Sequence, residues 1–200
     1  MKNLYLLLIV LSLFCCKKNN ATDNNSDDSS KIAADTLNDN DVKGVLTLLK
    51  NKDFKKLAIH IHPTDGLRFS PYGFIDIDKD KLCSKSEFLD MSKSSKSIVW
   101  GNYDGSGEEI KLSFKDYYTK FIYDADFLFA EKLSYNKTIG KGNSKNNISE
   151  VYKDCVYSES YFHGFDPKLE GADWTSLKLV FKRYKNNYFL VGIVHDQRTM

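Results

Sequence analysis

WTSLKLVFKRYKNNYFLVGIVH, residues 174–195, is the stretch whose reading decides the fold. Two runs rich in β-branched and aromatic residues flank the polar turn Lys185-Asn186-Asn187. The spacing predicts an antiparallel hairpin with strands over 174–184 and 187–195. Apolar groups stand on both parities: Leu177, Leu179 and Phe181 against Val180, then Phe189, Val191 and Ile193 against Leu190 and Val194. A strand with one face in water alternates apolar and polar side chains, whereas a strand apolar on both faces must be covered on both. The hairpin therefore calls for a helix on one side and something enclosed on the other.

Upstream, residues 154–162 read as a third strand, after a Gly/Asn/Ser-rich loop at 140–147. Ser113 caps an amphipathic helix in which Phe114, Tyr117, Tyr118, Phe121 and Ile122 share one face. Residues 97–103 form a strand candidate ended by the turn Asp104-Gly105-Ser106-Gly107, and residues 68–78 are short-strand and turn material. Val42, Val45, Leu46 and Leu49 mark one helix, with N-cap candidates at 38–41. Phe54, Leu57, Ala58 and Ile61 mark a second, stopped before Pro63.

The N-terminus carries an address. Lys2 precedes an apolar run over 4–14, which as helix reaches about 16 Å, roughly half the ~30 Å hydrocarbon core. These are the proportions of a secretory signal. Cys15-Cys16-Lys17-Lys18 then resembles a bacterial lipoprotein signal, with Leu13 at −3 and the small Cys15 at −1 of an acylated Cys16 (alternatively Cys15 itself is acylated). The resemblance implies a signal over 1–15, membrane attachment through N-terminal acylation, and, with Lys17 following the cysteine, the outer membrane or cell surface. Residues 16–36, rich in Asn, Asp, Ser and Lys, cannot bury enough apolar area to order themselves and are expected to be a disordered tether. Residues 37–200 are expected to form a single domain.

Composition narrows the classes further. The 29 basic and 27 acidic residues give a net charge of +2, which provides no drive toward nucleic acid. With 42% hydrophobic and 14% aromatic residues, the chain is no disordered polymer.

Several motifs in order, HPTDGLRFSPYGF (62–74), WGNYDGSGEEI (100–110), FIYDADF (121–127), FHGFDP (162–167), DWTSLKLVF (173–181) and YFLVGIVHDQ (188–197), resemble an uncharacterised domain of bacterial extracytoplasmic lipoproteins. With the paired N-terminal helices and closing hairpin, the chain is similar to the nuclear transport factor two-like superfamily. That resemblance implies an α+β fold in which a curled antiparallel sheet wraps the N-terminal helices into a cone with a pocket. It implies no activity.

The chemistry-bearing constellations are sparse. His60-Ile61-His62 shares a face only if extended, so a capping or packing role suits His62 better than metal binding. Asp76, Asp78, Asp80 and Glu87 mimic calcium-loop spacing, but Lys81 stands where the loop needs Gly, and a solvated loop is the better reading. Neither a metal nor a cofactor is implied. Cys83 and Cys155 could form a disulfide in an oxidising compartment, or remain two separate thiols. Candidate pocket residues are His62, Arg68, Tyr72, Trp100, Tyr123, Asp126, His163, Asp166, Trp174 and His195. Arg68 is one of three Arg against 26 Lys, which marks a place where a planar fork matters, either for a ligand or to hold Asp166 or Asp173.

The leading functional expectation is a lipid-anchored, non-catalytic domain that binds a small ligand, a peptide or an envelope partner. The alternative is a pocket-based hydrolase or isomerase with Asp126 or His195 as base and His62 or Tyr72 polarising the substrate. A third is an accessory module that blocks a partner through an exposed apolar patch.

Overall fold

The computed structural model describes residues 37–142 and 145–199. The expected signal over 1–15, the anchor cysteines and the tether lie outside the described residues.

Helix α1 spans Asp39–Lys50 and begins in a capping box: Asn38 Oδ1 accepts from Asn40 and Asp41 N–H groups, and Asp41 accepts from the Asn38 N–H. Val42, Val45, Leu46 and Leu49 are buried, as their spacing predicts. The second helix is shorter than expected. α2 covers Phe54–Leu57, continues as a 3₁₀ turn over Ala58–His60, and stops at Ile61, which is extended and bridges to Leu190.

Strands β1 (Leu67–Ser70) and β2 (Leu82–Cys83) lead into α3 (Lys85–Lys93), then the hairpin β3 (Ile98–Asn102) and β4 (Glu109–Leu112). After α4 (Phe114–Phe121) come β5 (Lys132–Tyr135), α5 (Ile148–Val151), β6 (Cys155–Phe162), β7 (Thr175–Tyr184) and β8 (Asn187–Gln197). Helix α3 was not anticipated, although Ser84 and Glu87 form a reciprocal capping box, with Ser84 N donating to Glu87 Oε2 at 2.7 Å. Reading Glu87 as the end of a calcium-like repeat hid that signal.

The architecture is α+β, built on a six-stranded sheet of order β2-β1-β8-β7-β6-β5. The sheet is mixed rather than antiparallel as expected, because β1 pairs in parallel with β8. The reason is connectivity: the N-terminal helices deliver β1 to the free edge of β8, a pairing separated by more than 120 residues that no local pattern encodes.

One face of the sheet is covered by the helices. Leu67, Phe69, Leu177, Leu179, Phe181, Leu190 and Ile193 join the side chains of α1, α2 and α4 in one core. Aromatic rings dominate it: Trp100 stacks on Tyr117 with centroids 4.1 Å apart, and Phe54 meets Phe114 edge-on at 5.0 Å. Tyr118 donates its hydroxyl to the Leu49 carbonyl at 2.5 Å, tying α4 to the end of α1.

The opposite, outer face buries Val180, Val191 and Val194 with Ile75 and Ile148. A bulge makes this possible. Val180 pairs with Gly192 and Phe181 with Leu190, so Val191 is an extra residue and turns outward with Val194. Strict alternation would have placed Leu190 with Val194; the bulge puts Leu190 with Ile193 instead. What covers this face is a pair of non-helical straps, one around Ile75 and one around Gly140 and Asn147, plus the short α5. Asn147 clamps them together, accepting from Ile75 N at 2.8 Å and donating to Ile75 O at 3.0 Å.

Gly192 lies under the ring of Tyr152. A Cβ at that position would sit 2.7 Å from Tyr152 Oη and 3.0 Å from Cζ. Gly192→Ala is expected to cost ~1–3 kcal/mol of stability through this overlap, measured by urea denaturation. Adding Tyr152→Phe should restore part of the loss, and equal stability of Gly192→Ala and the unsubstituted chain would contradict the packing.

Candidate functional site

The alternation of β1 points Leu67 and Phe69 to the helices and leaves Arg68 on the outer face, opposite Gly192. There the straps end and a cavity of about 470 Å³ opens, bordered by β1, β8, α5 and the start of β6. Arg68, Tyr152, Cys155, Lys182 and Val191 line it, and Ile77 and Leu82 form an apolar rim. Three smaller cavities measure about 220, 200 and 150 Å³.

Arg68 donates through Nη1 to the carbonyls of Ile77 at 2.9 Å and Asp80 at 3.0 Å. It thus holds backbone, not the Asp166 or Asp173 carboxylate that the sequence suggested. Tyr152 Oη is buried beside Arg68, with no acceptor for its proton. Burial pushes this phenol well above its ordinary pKa, and the charge of Arg68 opposes the shift only in part. Lys182 is tied to Asp65 at 2.6 Å. Cys155 is pushed up to about 11 by burial, so its thiol stays protonated. It is free, as is Cys83. Cys83 belongs to the helix-side core and Cys155 packs on the outer side, so the sheet separates the two thiols and the disulfide alternative falls away.

The other expected pocket residues do not converge. His195 is wholly buried on the helix side, its ring edge-on to Phe121. Nδ1 donates to the Pro71 carbonyl at 3.1 Å, while Nε2 faces Thr175 Oγ1 at 3.1 Å and Asp124 Oδ1 at 3.3 Å. Burial would raise Asp124, but the hydrogen bond and charge of His195, together with Thr175, hold its carboxyl below the usual range. Both ring nitrogens are engaged, which leaves His195 no free lone pair for a substrate proton. Asp126 is on the surface, 2.5 Å from Lys50 and accepting from Tyr123 Oη at 2.8 Å. Lys50 holds it below the usual range, which weakens it as a base. Neither lines the groove.

Trp100 is core, donating Nε1–H to the Leu112 carbonyl. His62 is buried among Tyr184 and Phe189, with Nδ1 accepting from Asp65 N at 3.0 Å, a packing role. Asp166 caps a 3₁₀ turn at Pro167–Leu169. His163 is exposed and bonded to Glu131 at 2.5 Å. Tyr72 lines the smallest of the four cavities, beside Asp76, Asp80 and Asp104. Among the described residues no group of three or more His, Cys, Asp or Glu is placed to hold a metal ion.

Trp174 instead belongs to the outer face, stacked on Tyr161, where it covers a buried charge cluster that the sequence reading missed. Lys178 Nζ lies 3.2 Å from Glu159 Oε1 and 2.9 Å from Asp196 Oδ2, all three side chains essentially inaccessible. Glu159 also accepts from Ser176 Oγ at 2.8 Å and from the N–H groups of Ile139 and Gly140. The signals were present: Lys178 and Ser176 interrupt an apolar strand, and Gly192 interrupts another, a mark of close approach. Nothing in the sequence singled out Tyr152.

Asp80 is not the solvated residue expected of its loop. Burial raises its carboxyl from 3.8 to about 6, with Ser70 and the Asp76 N–H opposing and the Asp76 charge adding to the rise. The folded chain therefore keeps a proton that the unfolded chain releases near pH 4. This contribution is complete below about pH 4 and is lost as pH rises through about 6, amounting to ~3 kcal/mol at most. Asp80→Asn should flatten the decline in urea stability over that window; parallel profiles would contradict it.

Compared with known protein families, with curated proteins and with solved structures, the chain has no match.

Proposed function

We propose that this chain is a lipid-anchored protein of the bacterial envelope whose folded part is a non-catalytic binding domain, with the outer-face groove as its site. The superfamily resemblance makes the helices and mixed sheet a variant of the cone-like arrangement, held off the membrane by the tether. The observation that carries the binding reading is the groove itself. It is the largest of the four cavities and combines a polar floor at Arg68 and Tyr152 with an apolar rim at Ile77 and Leu82.

The chemistry elsewhere favours binding over catalysis. His195, one of the two base candidates in the sequence, is sealed in the core with both nitrogens bonded. Asp126 is tied to Lys50 in solvent. Groups held in this way contribute to rigidity, whereas a base must meet a substrate proton. Among the described residues no helix is long and apolar enough to cross a membrane. In this reading attachment comes from acylation of the N-terminal cysteine.

A photo-reactive residue tests the reading. The full chain carrying p-benzoylphenylalanine in place of Leu82, on the groove rim, is irradiated in intact bacterial envelopes beside one carrying it in place of Ile59, which is still more exposed. Light-dependent adducts are expected at 82 and absent at 59, and the purified protein's N-terminal peptide should carry acyl chains on a cysteine. Equal or no labelling at the two positions would contradict the site, and an intact Met1 would contradict the anchor.

A further inference from the structure

The groove holds two donor groups, the Arg68 guanidinium and the Tyr152 hydroxyl, whose hydrogen-bonding capacity the fold uses only in part. We infer that it binds a small organic anion, a carboxylate or phosphate monoester with an apolar body, through Arg68 and the hydroxyl of Tyr152. This deepens the binding reading above and rests on it.

Arg68 is held by backbone, and the Asp80 carboxylate is near enough to feel its charge without forming an ion pair with it. Its two bonds to the Ile77 and Asp80 carbonyls use Nη1 and fix the guanidinium plane. Its side chain is half-buried, and the Asp80 carboxylate acts on it only through space. A partly desolvated cation is costly unless an anion accompanies it, and the planar fork fits carboxylate and phosphate oxygens. Lys fits such oxygens less well, which gives the rarity of Arg in this chain a physical meaning.

Tyr152 supplies a second observation, with Arg68 beside its hydroxyl. Its Oη is buried with Arg68 near it, and no group of the protein stands as acceptor for its proton, a condition that native structures rarely keep without a use. The phenol's raised pKa leaves it a donor at neutral pH. Gly192 is the only residue type that admits it, since a Cβ there would overlap Oη. The fold thus makes room for a hydroxyl that nothing in the protein accepts from.

The remaining lining describes the rest of the ligand. Among the lining residues three cations, Arg68, Lys153 and Lys182, face two carboxylates, Asp65 and Asp154, with Asp80 behind Arg68. Lys182 is already tied to Asp65, which places the charge nearest the floor on Arg68. Val151, Val191, Ile77 and Leu82 offer apolar contact that a bare inorganic ion would leave wet. About 470 Å³ lies within the usual range for small-molecule sites.

Calorimetric titration of the full chain with benzoate, phenyl phosphate, benzyl alcohol and inorganic phosphate tests the inference. At least one of the two aromatic anions should bind tenfold or more tightly than benzyl alcohol and inorganic phosphate, and which one separates a carboxylate from a phosphate site. Tyr152→Phe removes only the hydroxyl: its melting temperature should be unchanged or higher while affinity for the preferred anion falls about tenfold. Arg68→Gln should lose more, and Lys43→Gln on α1 nothing. Benzyl alcohol binding as well as benzoate, or full affinity in Tyr152→Phe, would overturn the anion inference. So would failure of all four probes; if labelling at position 82 persists the binding reading survives that result, and if labelling also fails both fall.

Discussion

The ammonium of Lys178, enclosed between Glu159 and Asp196, constrains everything on the outer side of the sheet. These residues stand on neighbouring strands β7, β6 and β8, so one cation joins three strands across their side chains. Desolvating three charges is expensive, and the cluster tolerates it only with its remaining hydrogen bonds supplied. The segment around Gly140 supplies them, donating backbone N–H groups to Glu159 and passing close beneath Trp174. The charge cluster thus positions the strap. Asn147 then fastens that strap to the segment at Ile75, and the groove opens where both end.

Seen from the hairpin, this arrangement answers a demand visible in the sequence. Apolar residues on both parities of 174–195 required two covers. The helix-side cover was legible, because Asn38 and Ser113 caps and the 3.6-residue spacing of α1 and α4 are local signals. The other cover was not. It is irregular backbone with a four-residue helix, fixed by a buried carboxylate and one Asn side chain, and such contacts leave no periodicity. The parallel pairing of β1 with β8 is equally silent, since its partners lie far apart in the chain.

The candidate site was legible only in part, for a related reason. Rare polar residues were expected to meet around one void, yet register decides which face each occupies. His195 pairs with Leu177 and points to the helices, while Trp174 covers the cluster on the far side. Two residues that seem adjacent at the ends of a hairpin are therefore separated by the sheet. Arg68 stood out by its scarcity, and the structure places it in the groove. Tyr152 became visible only through what its hydroxyl lacks, a property of the fold that the sequence does not carry.

If the buried cluster organises the outer face, its cation cannot be removed cheaply. The most direct measurement is the urea stability of Lys178→Met in the full chain, a substitution that keeps an unbranched apolar stem and leaves two buried carboxylates without their ammonium. The account predicts a loss of ~3–5 kcal/mol. Stability equal to or greater than that of the unsubstituted chain would contradict it, because the straps and the groove they frame would then owe nothing to Lys178.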